Sequence, residues 1–132
     1  MKRRPTEEQK AASAERRERF RQMSKRIAEM PEADRAALAA RISPVTVEGR
    51  GLSLHNTIMI GFQLPTATVV GGFAQWRQAG RAVRKGEHGI AIWVPRFAGK
   101  SDADDAGSPE GFIIGYVFDV SQTDAIEVQA AA

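Results

Sequence analysis

Between Trp76 and Ile90 the chain reads WRQAGRAVRKGEHGI, and this run holds its densest chemistry. Arg77, Arg81, Arg84, Lys85 and His88 fall within twelve residues, behind a tryptophan and among three glycines, Gly80, Gly86 and Gly89. Glu87 is the one acid. Cations along a glycine-shaped loop suit the phosphates of a nucleic-acid backbone, and an aromatic at the head of the loop suits a base. Gly86 and Gly89 permit the positive φ of a tight turn, and such a turn also lets phosphate oxygens reach backbone amides. The same residues equally describe an ordinary solvated turn.

Other side chains invite comparable readings. Phe73 and Trp76 are three apart and share one side of a short helix. Core packing is the ordinary fate of such a pair, and a stacking platform for bases is the alternative. The expectation is a core Phe73 and a partly exposed Trp76. Asn56 and Gln63 are seven apart, hence on one helical face. Their amides suit base edges or sugar-phosphate oxygens as well as a plain polar surface. Covalent chemistry finds little support. The chain has two histidines, His55 and His88, no cysteine and no HExxH, which argues against a zinc hydrolase. It has no GxxxxGK[ST] loop and no GxGxxG turn. No catalytic residue, metal or cofactor is expected, and the reading is a binding protein rather than an enzyme.

The charge distribution agrees with a polyanionic partner. The 132 residues carry a formal charge of +3, unevenly placed. Residues 1–42 hold 12 basic and 7 acidic side chains, residues 43–100 hold 7 and 2, and residues 101–132 hold none and 7. A basic body with an acidic end attracts polyanions. It also argues against a mimic of DNA, which needs an acidic surface. The length suits one domain with a tail. The absence of cysteine fits a reducing cytoplasm. No apolar run approaches ~18 residues, so no membrane span is expected. The basic start, MKRRPTEEQK, leads into a charged helix rather than an apolar signal segment.

These residues need elements to position them. Thr6 and Gln9 have the spacing of a capping box, and good helix formers continue to about Glu29. Phe20, Met23, Ile27 and Met30 form one narrow apolar stripe, so the turns before Phe20 project into solvent. Their mixed charges predict a solvated face with pairs such as Glu15–Arg19. A second helix covers 32–42 and stops before Pro44. Residues 44–52 connect to a helix over 54–64, capped by Ser53, with Leu54, Ile58 and Phe62 facing the core. Thr66 to Val70 are extended, and a short helix through Phe73 and Trp76 ends at Gly80. Residues 90–94 and 112–118 alternate as strands and predict an antiparallel hairpin across a polar, acidic loop.

Four blocks in order, Ser53 to Pro65 (SLHNTIMIGFQLP), Val70 to Trp76 (VGGFAQW), Gly80 to Ile92 (GRAVRKGEHGIAI) and Tyr116 to Thr123 (YVFDVSQT), resemble the N-terminal domain of ArdC-type antirestriction proteins. The resemblance covers about residues 50–124. It implies an α+β domain that binds single-stranded DNA with little sequence preference, carried by plasmids, phages and other mobile elements. Many relatives add a zinc metallopeptidase-like domain with HExxH; this chain has no such motif, and no peptidase function carries over. Asn56, Trp76, Arg81, Arg84, Lys85 and Gly86 match the family pattern by position. Relatives commonly place an aromatic where Leu52 or Ser53 stands here.

The expected architecture is α+β: N-terminal helices, then a short helix and an antiparallel β-hairpin sheet. Residues 1–43 form a partly projecting helical segment, 44–124 the DNA-binding domain, and 125–132 a tail. Arg77, Arg81, Arg84 and Lys85 would neutralise phosphates, with Gly86 and His88 in the same turn. Trp76 would stack on a base, and Asn56 and Gln63 would make polar contacts along the groove. The alternative is a protein-interaction module that engages a partner through the N-terminal helix or the acidic loop.

Overall fold

A computed structural model describes residues 4–96 and 111–126. The acidic stretch 101–110 and residues 127–132 lie outside that range. Helix α1 (Glu7–Glu29) opens with the reciprocal cap the sequence predicts: Thr6 Oγ1 accepts from the Gln9 amide, and Gln9 Oε1 accepts from the Thr6 amide. α2 (Glu32–Ile42) follows Pro31, and β1 (Val45–Thr46) follows Pro44. α3 (Leu54–Gln63) is capped by Ser53, whose hydroxyl accepts from the Asn56 amide. β2 (Val69–Gly71), α4 (Phe73–Gln78), β3 (Arg81–Val83), β4 (Ile90–Arg96) and β5 (Gly111–Asp119) come next. A 3-10 turn (Val120–Gln122) leads into β6 (Thr123–Ala125).

The class is α+β, with helices and a mixed sheet. The main sheet has the order β1-β2-β5-β4, with β1 parallel to β2 and the other pairs antiparallel. The expected hairpin is β4–β5, running from Ile90 opposite Val117 to Arg96 opposite Gly111. A second, two-stranded sheet pairs β3 with β6. It draws Ala125, expected in the tail, into register with Arg81.

Alternation along β4 sends its side chains to two apolar clusters. Ala91 and Trp93 pack with Phe20, Ile27, Ile58 and Met59. Ile90, Ile92 and Val94 pack with Ile60, Ala67 and Val70. The α1 stripe therefore reaches the core from Phe20 onward, and the turns before it are largely exposed, as expected. α3 departs from expectation. Ile58 is buried, yet Leu54 and Phe62 are exposed, and Thr57 to Gly61 are all buried. α3 packs against α1, α2 and β4, so it buries a broad central arc rather than one stripe, and its two ends emerge. At Gly61 a side chain would collide with Ile42, so α2 approaches the α3 backbone closely.

Candidate functional site

The basic turn is built on contacts to the chain beyond Asp119. Arg81 Nε donates to Thr123 Oγ1 at 2.7 Å, and Nη2 donates to the Thr123 carbonyl at 3.0 Å. Arg84 donates to the carbonyls of Ser121 and Thr123, and pairs with Asp124 at 3.1 Å and Glu87 at 3.3 Å. The hydrogen bond to Asp124 raises the Arg84 pKa further above its ordinary value. Gln122 donates to Glu87 and to the His88 carbonyl, and its own carbonyl accepts from the Arg84 amide. Two of the guanidinium groups expected to meet phosphate, Arg81 and the still exposed Arg84, are thus engaged by acceptors of the chain itself, closing β3 onto β6.

Asp119 anchors the same region. Its buried carboxylate accepts from the amides of Thr68 (2.9 Å) and Val69 (3.3 Å) at one oxygen, and from Ser121 amide and hydroxyl at the other. Burial pushes its pKa upward, but these hydrogen bonds to the charged form outweigh burial and leave it below the ordinary value.

The aromatic expectations exchange places. Trp76 is 3% exposed and its indole Nε1 donates to the Phe118 carbonyl at 2.9 Å. It is a core residue with a satisfied polar tip and presents no face to a base. Phe73, expected in the core, is 56% exposed, edge-on to Phe118 at 5.5 Å between centroids. Spacing puts both on one side of α4, and Trp76 alone lies where the strands cover that helix.

Asn56 and Gln63 both turn their amides to the backbone of β4. Asn56 Nδ2 donates to the Trp93 carbonyl, and its Oδ1 accepts from the Trp93 amide, both at 2.9 Å. Gln63 does the same with Ala91, at 2.7 and 2.9 Å, and donates to the Met59 carbonyl as well. β4 is an edge strand, and these amides fill its outward hydrogen-bonding positions. Both Gln63 amide hydrogens are taken, whereas Asn56 keeps one without a partner among the described residues.

Arg77, Lys85 and His88 are exposed and have no ion-pair partner among the described residues. Gly86, at φ +88 and with open space around its α-carbon, makes the expected left-handed turn. Gly89 does not adopt positive φ, contrary to expectation.

His88 and Gly89 border an open groove of about 900 Å³. Its floor is the β4–β5 face, with Ala91, Ile114, Tyr116 and Phe118; Phe73 stands beside it. Its opposite side is α1, which contributes Phe20 and Met23 and above them Arg16, Arg17 and Arg19. All three arginines are exposed, and Lys10–Glu7 is the ion pair α1 forms among the described residues, so the expected Glu15–Arg19 pair is absent. The mixed charges of α1 concealed this side. A signal was present: the stripe Ile27, Met23, Phe20 continues backward by one helical step onto Arg16, with Arg19 one turn before Met23.

A second cavity of about 620 Å³ lies among Ser53, His55, Asn56, Trp93 and Phe112. Behind it, Ser24 Oγ accepts from the Trp93 indole at 2.8 Å and sits 2.8 Å from His55 Nε2. Burial first, then nearby Arg35, lowers the His55 pKa. Among the described residues there is no cluster of metal-ligating side chains, and no helix is long and apolar enough to cross a membrane.

Residues 6–126 match the family model of the N-terminal domain of anti-restriction factor ArdC. The match takes in α1 and α2 as well as the four blocks noted in the sequence. Crystal structures of the antirestriction ArdC protein from R388 plasmid share the fold at 20% identity. The metal-free form has a TM-score of 0.54 over 83% of this chain and 43% of its own. The Mn(II)-bound form has a TM-score of 0.51 over 72% and 39%. The chain thus corresponds to less than half the length of those proteins. Curated protein sequences gave no match.

Proposed function

The chain belongs to the family of N-terminal domains of the anti-restriction factor ArdC, and from that premise we propose that it binds single-stranded DNA in the groove between α1 and the β4–β5 face. The observation that carries the reading is one groove with an arginine side and exposed aromatic rings. Arg16, Arg17 and Arg19 overhang one side, while Tyr116 on the floor and Phe73 beside it are each 56% exposed. Two large rings left in water beside unpaired cations are costly for a surface with no ligand. They suit a strand whose phosphates meet the guanidinium groups and whose bases stack on the rings.

The phosphate role assigned by sequence to Arg81 and Arg84 passes to the α1 arginines, with Arg77, Lys85 and His88 supplementing them. The stacking role passes from Trp76 to Phe73 and Tyr116. In this reading the domain is a binding module that performs no chemistry. It acts in the cytoplasm in the antirestriction or DNA-transfer setting of a mobile element, as the R388 plasmid origin of its structural neighbour supports. The test is fluorescence anisotropy with oligo-dT and with duplex of equal length over a range of salt. Tighter binding to oligo-dT that weakens with salt is expected. Equal or stronger binding of duplex sinks the single-strand reading, and no binding to either removes DNA altogether.

A further inference from the structure

Gly89 is fixed by something other than its own backbone. It sits one residue before β4, among the turn glycines, and the sequence treats it as one of them. Yet Gly49, Gly80, Gly86 and Gly111 are the glycines with positive φ among the described residues, and Gly89 is not. Its φ suits any residue. The restriction comes from across the sheet. A Cβ at residue 89 would lie 2.8 Å from Tyr116 Cβ and 3.2 Å from Cγ and Cδ1. Real Cβ atoms do not approach that closely, and the nearest atom is the root of the Tyr116 side chain rather than a flexible end.

The register explains the contact. Ile90 pairs with Val117 and Ala91 with Tyr116, so Gly89 is the diagonal neighbour of Tyr116 on the same face. The tyrosine leans over the space where the residue 89 side chain would stand. In that position it remains 56% exposed and borders the groove together with Gly89. An aromatic resting on a glycine in an adjacent strand is a familiar source of sheet stability. Here the ring also keeps more than half of its surface in water, so burial is not the whole purpose of the arrangement.

We propose that Gly89 is a positioning residue: by having no side chain it lays the Tyr116 ring along the groove floor as one of two aromatic platforms, with Phe73 as the other. This rests on the single-stranded DNA reading of the groove. Gly89 touches no base itself; it acts through Tyr116.

The experiment is a double-mutant cycle on oligo-dT affinity, with melting temperatures for every variant. Gly89→Ala pushes the ring off the floor and weakens binding about tenfold, or about 1.4 kcal/mol, the size of one lost stacking contact. Tyr116→Ala weakens it by a similar factor. Gly89→Ala in the Tyr116→Ala background has no further effect, because the ring it would displace is gone. Tyr116→Ala keeps the Cβ of the collision, so the folded control is Gly89→Ala with Tyr116→Gly, which removes it and melts no lower than Tyr116→Gly alone. Photocrosslinking of the wild type to oligo-dT bearing 5-iodouracil labels Tyr116, and Gly89→Ala reduces that label.

Two results overturn the proposal while leaving DNA binding intact: full affinity in Gly89→Ala, or an equal loss from Gly89→Ala with and without Tyr116. A wild-type chain with no affinity for oligo-dT overturns the functional reading, and this one with it.

Discussion

Gln63 and Ala91 are joined by two hydrogen bonds: the side-chain amide donates to the Ala91 carbonyl at 2.7 Å, and its oxygen accepts from the Ala91 amide at 2.9 Å. Asn56 repeats the arrangement on Trp93. One helix face thereby imitates a neighbouring strand along the free edge of β4. Main-chain groups that would otherwise invite pairing with another molecule are closed off.

Removing either amide should therefore cost stability first. Gln63→Ala leaves the Ala91 amide and carbonyl without partners in a part-buried setting. A loss of about 2–3 kcal/mol is expected in urea denaturation, from two unsatisfied backbone groups. A change below about 0.5 kcal/mol would show that water replaces the side chain at no cost.

The α1 arginines should behave in the opposite way. Replacing Arg16, Arg17 and Arg19 with alanine should alter the melting temperature little, because exposed charges contribute about 0–1 kcal/mol. The plot of log K against log salt for oligo-dT should become shallower by roughly 2, from about 0.7 per lost phosphate contact. An unchanged slope would place the strand elsewhere.

Phe73 and Trp76 should divide cleanly. Trp76→Ala removes a buried indole and its bond to Phe118, and should cost about 3–5 kcal/mol of stability. Phe73→Ala should leave stability nearly intact and weaken oligo-dT binding by about 1–3 kcal/mol. Paired measurements of melting and affinity check both, and a Phe73 variant that binds like the wild type removes that ring from the platform.

Acid stability should follow Asp119. Its folded pKa lies below the ordinary 3.8, so the unfolded chain binds more protons between the two values. The stability it supplies is full above the ordinary value and is lost as pH falls through the folded one. Asp119→Asn should lower the melting temperature at neutral pH and flatten the decline on the acid side. Parallel acid limbs for the two proteins would assign that decline to other groups.

Much of the scaffold could be read along the chain. Local rules place the Thr6 cap, the Ser53 cap and the β4–β5 hairpin, because each depends on a few adjacent residues. The groove is a different kind of object. Whether Phe73 or Trp76 meets solvent depends on which side of a two-turn helix the distant Phe118 carbonyl covers. Whether Arg84 meets phosphate depends on Ser121, Thr123 and Asp124, some forty residues away. The Asp119 to Thr123 block, recognisable as a family signature, turns out to organise hydrogen bonds. Such partners are set by tertiary contact, and no spacing within one segment reveals them.

The strand order β1-β2-β5-β4 has a consequence for synthesis. β2 and β4 both pair with β5, which follows them in the chain, and the Trp76 indole bonds to a carbonyl at Phe118. A nascent chain halted after β4 can pack α3 on α1, α2 and β4 and pair β1 with β2, but it lacks the strand that joins β2 to β4. The main sheet closes only once β5 leaves the ribosome, and β6 then meets β3. Because these pairings are distant in sequence, the domain should assemble slowly and in one concerted step. Any segment translated after Ala125 would emerge while that step is still under way.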